Sequence, residues 1–351
     1  MPQLSFEIDG REVGPGKPVY VVAEMSANHN RSYERAVELL HAAKHAGVDA
    51  VKIQTYTPDT ITLKNEGEMF RTPSEGPWGG RTLYDLYAEA HMPWEWQPLL
   101  LAEARTLGIT LFSAPFDLTA VDFLEEIGMP AFKIASFEIV DLPLVDRVAR
   151  TGKPIFMSTG MATLQEIAEA VAVAREAGAH EIVLLKCTSA YPAEPEDMNL
   201  AAIPHLSAAF DLPVGLSDHT LGIAVPIAAV ALGACAVEKH YTLRRADGGP
   251  DSAFSLEPEE LQAMVAQIRV AERAIGKVRY GASEAERGNT VFRRSLFVVE
   301  DVKSGEKFNA RNVRSIRPGN GLAPREYTRV LGRRAKRDVP RGTPMNWDLI
   351  S

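Results

Sequence analysis

From Tyr20 to about Ile275 the chain alternates short apolar runs with segments of helical period. The runs are Tyr20–Ser26, Ala50–Tyr56, Thr110–Pro115, Ala131–Ser136, Pro154–Gly160, Ile182–Ser189, Val214–His219 and Ala236–Leu243. Among the helical segments, Tyr33–His45 sets Ala36, Val37, Leu40 and Ala43 on one face. Glu259–Ile275, entered through Pro258, does the same with Leu261, Met264, Val265, Ile268 and Ile275. Eight such units predict an α/β chain folded as a (β/α)8 TIM barrel. A doubly wound sheet is the alternative, but no G-x-G-x-x-G follows the first run.

Successive runs start roughly 20 to 30 residues apart, except between the second and third, where Leu63–Trp96 intervenes. This insertion carries Phe70, Trp78, Tyr84, Tyr87, Trp94 and Trp96. It would emerge at the C-terminal face of the barrel, where such folds place their active sites. It reads either as an aromatic mini-core that shapes a long loop or as part of the site.

Beyond the barrel, Arg294–Glu300, Ile316–Leu322 and Arg337–Pro340 alternate with the turn signals K-S-G-E and R-P-G-N-G, which predicts a small β-rich domain. The expected boundaries are 1–276 for the barrel, 277–292 for a linker and 293–351 for the β-rich domain. The net charge of −8 divides unevenly: residues 293–351 hold 14 Lys and Arg against 6 Asp and Glu, the rest 24 against 40. A basic tail on an acidic body calls for a partner, and nucleic acid is the first that suggests itself. The aromatic, Lys-rich platforms that nucleic acid requires are absent there, so none is expected. No run approaches the ~20 apolar residues of a membrane helix, and the N-terminus lacks signal-peptide character. With two cysteines, Cys187 and Cys235, and no C-x-x-C pair, the chain is expected to be cytoplasmic.

The ends of the runs are unusually polar. The first closes in Glu24-Met25-Ser26-Ala27-Asn28-His29-Asn30, and the second carries Lys52 and Gln54, two apart and so on one face. Ser113, Lys133, Ser136, Glu138, Ser158, Ser189, Tyr191 and Ser217 follow at or just beyond the ends of later runs. Two lysines with serines from other strands suit a phosphate or carboxylate. His219 and His240 stand at equivalent positions on adjacent strands, about 4.8 Å apart. They could share one metal ion or be two satisfied histidines in a polar mouth. The turn Asp247-Gly248-Gly249-Pro250-Asp251-Ser252 follows the eighth run and suits sugar hydroxyls or a metal.

The motifs E-M-S-A-N-H-N, K-I-Q-T-Y, F-K-I-A-S-F-E, S-T-G-M, K-C-T-S-A-Y-P, G-L-S-D-H-T, E-K-H-Y-T-L, F-R-R-S-L and R-P-G-N-G-L occur in that order. Together they resemble the sialic acid synthase family, over about residues 18 to 337. The resemblance implies a TIM barrel followed by an antifreeze-like (SAF) domain. It also implies a transferase that condenses phosphoenolpyruvate with an amino-sugar aldehyde, releases phosphate and uses a divalent metal, Mn2+ or Mg2+. By that resemblance His219 and His240 are the metal ligands. Lys52, Ser113, Lys133, Ser136, Ser158, Ser189 and Ser217 match positions that hold phosphoenolpyruvate. Glu24, Gln54, Glu138, Tyr191 and Asp251 match positions near the sugar, and Glu24 is the implied catalytic carboxylate beside the two histidines. Relatives carry Asn where this chain has Ser189.

Within the family, E-M-S-A-N-H-N, Y-T-P-D-T-I-T, G-R-T-L-Y-D-L-Y with P-W-E-W, and R-A-D-G-G-P-D-S-A-F-S-L-E-P resemble the pseudaminic acid synthases. The implied acceptor is 2,4-diacetamido-2,4,6-trideoxy-L-altropyranose, and the aromatic insertion is expected to supply apolar surface for this deoxy sugar. N-acetylneuraminate and legionaminic acid synthases are the alternatives, followed by an aldolase that uses a Schiff-base lysine. The resemblance also implies a domain-swapped homodimer in which Arg317 reaches the neighbouring subunit's sugar site. That docking would give the basic tail its use.

Overall fold

The computed structural model describes residues 5–351, which divide into two compact units, the first running to Gly276 and the second spanning Lys277–Ser351. The first opens with an antiparallel hairpin, β1 (Phe6–Ile8) and β2 (Arg11–Val13). Its two-residue turn, Asp9-Gly10, has positive φ at both positions, the geometry that Asp-Gly favours. Eight parallel strands follow: β3 (Tyr20–Glu24), β4 (Ala50–Thr55), β5 (Thr110–Pro115), β6 (Phe132–Ile134), β7 (Ile155–Ser158), β8 (Ile182–Cys187), β9 (Val214–Asp218) and β10 (Ala236–His240). They close into a barrel because β10 pairs back onto β3. Every apolar run of the sequence contains one of these strands.

The strand period of two separates the barrel's inside from its outside. Inward residues near the strand starts, among them Tyr20, Val22, Ala50, Phe112, Ala131, Phe156, Val183, Leu185 and Ala236, form one apolar cluster. Ile8 and Val13 of the hairpin belong to it, so the hairpin caps the lower end of the barrel. Outward residues such as Val21, Val51, Leu111, Leu184 and Val237 pack instead with the helices. Tyr33–Ala46 buries Ala36, Leu39, Leu40 and Ala43, with Val37 only partly covered, and ends at Gly47 in the left-handed conformation. In Pro258–Ile275 the expected face is buried except Ile275, which is exposed beside the helix end.

In the second unit β11 (Ser295–Val298) pairs antiparallel with β12 (Val313–Ile316). The second strand thus precedes R-P-G-N-G instead of following Ile316, and the stretch expected as a third strand makes one isolated bridge, Val302 to Val339. Leu296, Val298, Val302, Phe308, Val313, Val330, Val339 and Met345 give this unit its own core. Residues 277–292, expected as a linker, contain the short helices Glu284–Arg287 and Gly288–Phe292 and fall in the second unit. No helix is long and apolar enough to cross a membrane among the described residues.

Candidate active site

Above the apolar layers the inward positions of the strands turn polar. Glu24, Lys52, Lys133, Ser158, Cys187, Ser217, Glu238 and His240 continue the inward series of their strands, and all are buried. They meet beneath a cavity of about 540 Å³. Of the residues expected at the site, Lys52, Gln54, Lys133, Ser136, Glu138, Ser158, Tyr191, Ser217, His219, His240 and Asp251 line it.

The floor is an ion network. Lys52 Nζ lies 2.7 Å from Glu24 and 3.7 Å from Glu238. Lys133 Nζ donates to Glu238 at 3.1 Å, as does Ser217 Oγ at 3.0 Å. Burial alone would raise the Glu238 pKa, but Lys133 and Lys52 override it and hold the group at about 2. Glu24 goes the other way: burial raises its pKa by more than Lys52 offsets. Glu24 has no surface on the cavity and accepts from Gln54 Nε2 at 3.0 Å. Lys52 and Lys133 also line the cavity, so each offers N–H donors that suit an anion there. Burial also raises Glu138 to about 7.

His219 and His240 sit side by side because β9 and β10 pair in register, with ring centroids 5.3 Å apart. His219 Nδ1 is 2.8 Å from the Thr188 carbonyl, which can only accept, so Nδ1 carries a hydrogen and Nε2 is the nitrogen left for another partner. His240 Nδ1 is buried without a partner, and burial with neighbouring positive charge holds this ring well below the usual histidine pKa. Two adjacent imidazoles lining one cavity fit a divalent cation. Among the described residues no three His, Cys, Asp or Glu form a fuller cage, so substrate and water would complete the coordination.

An aromatic wall stands over this pair. Tyr191 packs on His219 with centroids 4.3 Å apart, and Phe254 lies 5.1 Å from His240. Trp78, from the insertion, approaches Tyr191 at 5.3 Å and donates Nε1 to the Pro250 carbonyl. Tyr87 also lines the cavity. Trp94, by contrast, stacks on Phe123, and Trp96 packs edge-on against Tyr33. The insertion thus serves both expected purposes with different residues.

Ser189 and Ser136 flank Gly160, where a β-carbon would meet their hydroxyl oxygens at 2.4 and 2.6 Å. Ser113 is not brought to the mouth. It shares the outward parity of Leu111, is fully buried, and bonds Thr55 Oγ1 at 2.6 Å and the Ile53 carbonyl at 3.2 Å. The strand alternation thus leaves Ser113 off the cavity lining, away from where phosphoenolpyruvate was expected. Arg317 lies in the second unit, exposed, before a cis proline.

The NeuB family model matches residues 39–280, and the SAF domain model matches 293–351. The chain belongs to the NeuB family. It is 44% identical over 326 residues to a pseudaminic acid synthase of Campylobacter jejuni, covering 93% of this chain and 95% of the relative. A Helicobacter pylori pseudaminic acid synthase is 42% identical over 95% of this chain and 98% of its own length. The solved N-acetylneuraminic acid (sialic acid) synthetase of Leptospira borgpetersenii superposes with a TM-score of 0.73. It is 30% identical, over 82% of this chain and 95% of that one. NeuB-family synthases depend on a metal, in accord with the histidine pair.

Sequence reasoning missed three groups in this NeuB-type mouth. Glu238, the carboxylate on which both lysines converge, was visible two residues before His240 and so on the same face. Cys187, its Sγ 3.9 Å from His219 Nδ1, follows from the same parity in β8. Ser26, whose hydroxyl bonds Asp251 and accepts from Gln54, had no signal beyond following the first strand.

Proposed function

We propose that this protein is a pseudaminic acid synthase. It condenses phosphoenolpyruvate with 2,4-diacetamido-2,4,6-trideoxy-L-altropyranose and water, forming a C–C bond and releasing phosphate by C–O cleavage. One observation carries the reading: an anion-binding floor and a histidine pair share a single cavity. The likeness to the pseudaminic acid synthases of Campylobacter jejuni and Helicobacter pylori supports the product, and the acceptor follows from it.

Lys52 and Lys133 bind the anionic groups of phosphoenolpyruvate, with hydroxyls of Ser136, Ser158, Ser189 and Ser217 as donors. Ser158 Oγ has no protein partner and is free to make that bond. His219 and His240 hold Mn2+ or Mg2+, which supplies Lewis-acid polarisation of the acceptor aldehyde. As C3 of phosphoenolpyruvate bonds to the aldehyde carbon, cationic character develops at C2. Glu238, ionised and facing the cavity, stabilises it electrostatically. Glu24 orients Lys52 and Gln54 from beneath and acts through them. Glu138 changes protonation near neutral pH and is matched to moving a proton as water adds. Gln54, Tyr191 and Asp251 face the sugar, while Tyr56, Trp78, Leu83, Leu86 and Tyr87 give it an apolar wall. That wall supports an acceptor with a methyl where N-acetylmannosamine has a hydroxyl.

The same reading makes the enzyme a cytoplasmic, domain-swapped homodimer in which the SAF unit of one subunit, with Arg317, covers the other's barrel mouth. The opposite charges of the two parts support it, as do exposed Phe137, Val140, Met161 and Leu221 on the loops after β6, β7 and β9.

The test offers purified protein phosphoenolpyruvate with each amino sugar in turn, with and without chelator, and follows phosphate release and product mass. Metal-dependent turnover of the 6-deoxy altro acceptor is expected. Turnover confined to N-acetylmannosamine or to the legionaminic acceptor would overturn the assignment.

A further inference from the structure

The two strands that present the histidines inward carry a buried ion pair on their outward side. Asp218 precedes His219 and Lys239 precedes His240, and the two are directly opposite in the β9–β10 ladder. Lys239 Nζ lies 2.5 Å from Asp218 Oδ2, and both side chains are wholly inaccessible. The pair does not touch the cavity.

Its remaining bonds converge on Thr220, the residue after His219. Asp218 Oδ1 accepts from the Thr220 N–H at 3.1 Å and from its hydroxyl at 2.9 Å. Lys239 also donates to the Thr220 carbonyl. His219 itself is tied to the preceding crossover: its carbonyl accepts from Ala193 N at 3.0 Å, and its Nδ1 bonds the Thr188 carbonyl. The backbone on either side of His219 is thus pinned to the strand that bears His240. A buried ion pair is weak evidence of added stability, because desolvation offsets the attraction. What it supplies here is direction: a lysine and a carboxylate, each with further bonds to satisfy, have one arrangement that satisfies them all.

We propose that Asp218 and Lys239 form a positioning clamp that sets the spacing and orientation of the His219–His240 pair for its metal ion. They act from the helix side of the barrel without touching metal or substrate. The inference rests on the reading of that pair as the metal site. Neighbouring groups of this kind commonly change metal affinity by about 10- to 100-fold when removed.

The test measures Mn2+ binding to metal-free protein by paramagnetic resonance titration, alongside thermal unfolding, so it needs no turnover. Asp218→Asn, which strands a buried lysine, is expected to lower both melting temperature and Mn2+ affinity. The double variant Asp218→Asn/Lys239→Met, with no buried charge, is expected to recover melting temperature while Mn2+ binding stays about 10- to 100-fold weaker than wild type. Asp49→Asn serves as the control. Asp49 pairs with Arg11 at 2.8 Å and Arg269 at 3.0 Å at the other end of the barrel, so its loss should destabilise the fold without weakening Mn2+. The clamp is overturned if the double variant binds Mn2+ within twofold of wild type, or if Asp49→Asn weakens binding equally. Absence of Mn2+ binding by the wild type would instead overturn the metal-site reading, and the clamp with it.

Discussion

Replacing Gly160 by Ala should damage phosphoenolpyruvate binding selectively. The new β-carbon would stand 2.4 Å from Ser189 Oγ, 2.6 Å from Ser136 Oγ and 3.0 Å from Ser136 Cβ, where ordinary contact begins at 3.4 Å. Each hydroxyl must retreat by roughly 1 Å, and a hydrogen bond lengthened that far is lost. A bond to a charged group contributes about 1.5–3 kcal/mol, so losing one should weaken phosphoenolpyruvate about 10- to 150-fold. Because φ at Gly160 lies outside the positive region, backbone strain adds nothing, and melting temperature should hardly move. The assay is KM for phosphoenolpyruvate under saturating acceptor, with calorimetric Kd beside it. Combining the change with Ser136→Ala should be less than additive, since both act on the same hydroxyl. A KM within twofold of wild type, with the fold intact, would show that these hydroxyls do not bind the anion.

Ser113→Ala should leave KM for phosphoenolpyruvate within twofold and cost about 1 kcal/mol in denaturant unfolding, because its hydroxyl bonds only Thr55 and Ile53. Burial holds Glu138 at about 7, above its ordinary 4.5, so its favourable contribution is complete below about pH 4.5 and lost as pH rises through 7. Glu138→Gln should therefore gain stability relative to wild type between pH 5 and pH 8, by at most about 3 kcal/mol, read from urea midpoints at the two pH values. Shortening the chain to end at Arg287 should remove both the dimer, seen by sedimentation, and most of kcat. A fully active monomer would contradict the proposed cap.

Much of the barrel was legible because its signals are local. Each strand is a short apolar run, and each helix repeats its apolar face within a few turns. The histidine pair was legible too, since equivalent positions at the ends of successive parallel strands become neighbours once the sheet forms. The outward side of Ser113 was not legible because barrel strands are buried on both faces, so T-L-F-S-A-P carries no mark of which residues look inward. The hairpin Phe6–Val13 lay outside the recognised repeat. The tail's strands were displaced because most of its backbone runs in turns and isolated bridges.

Chemical type and order along the chain, which the sequence by itself determines, were enough for the eight-unit barrel, its polar upper ends and membership of a synthase family. The closure of β10 onto β3 decided the rest, because closure sets which face of each strand looks inward. Through that choice Glu238 became the floor's ionised carboxylate, Glu24 sank beneath Lys52, and Ser113 turned to the helices. It also left Asp218 and Lys239 back to back with the histidines they neighbour. Burial then adjusted the chemistry. Two glutamates of one ordinary pKa are driven in opposite directions: burial wins at Glu24, while Lys133 and Lys52 win at Glu238.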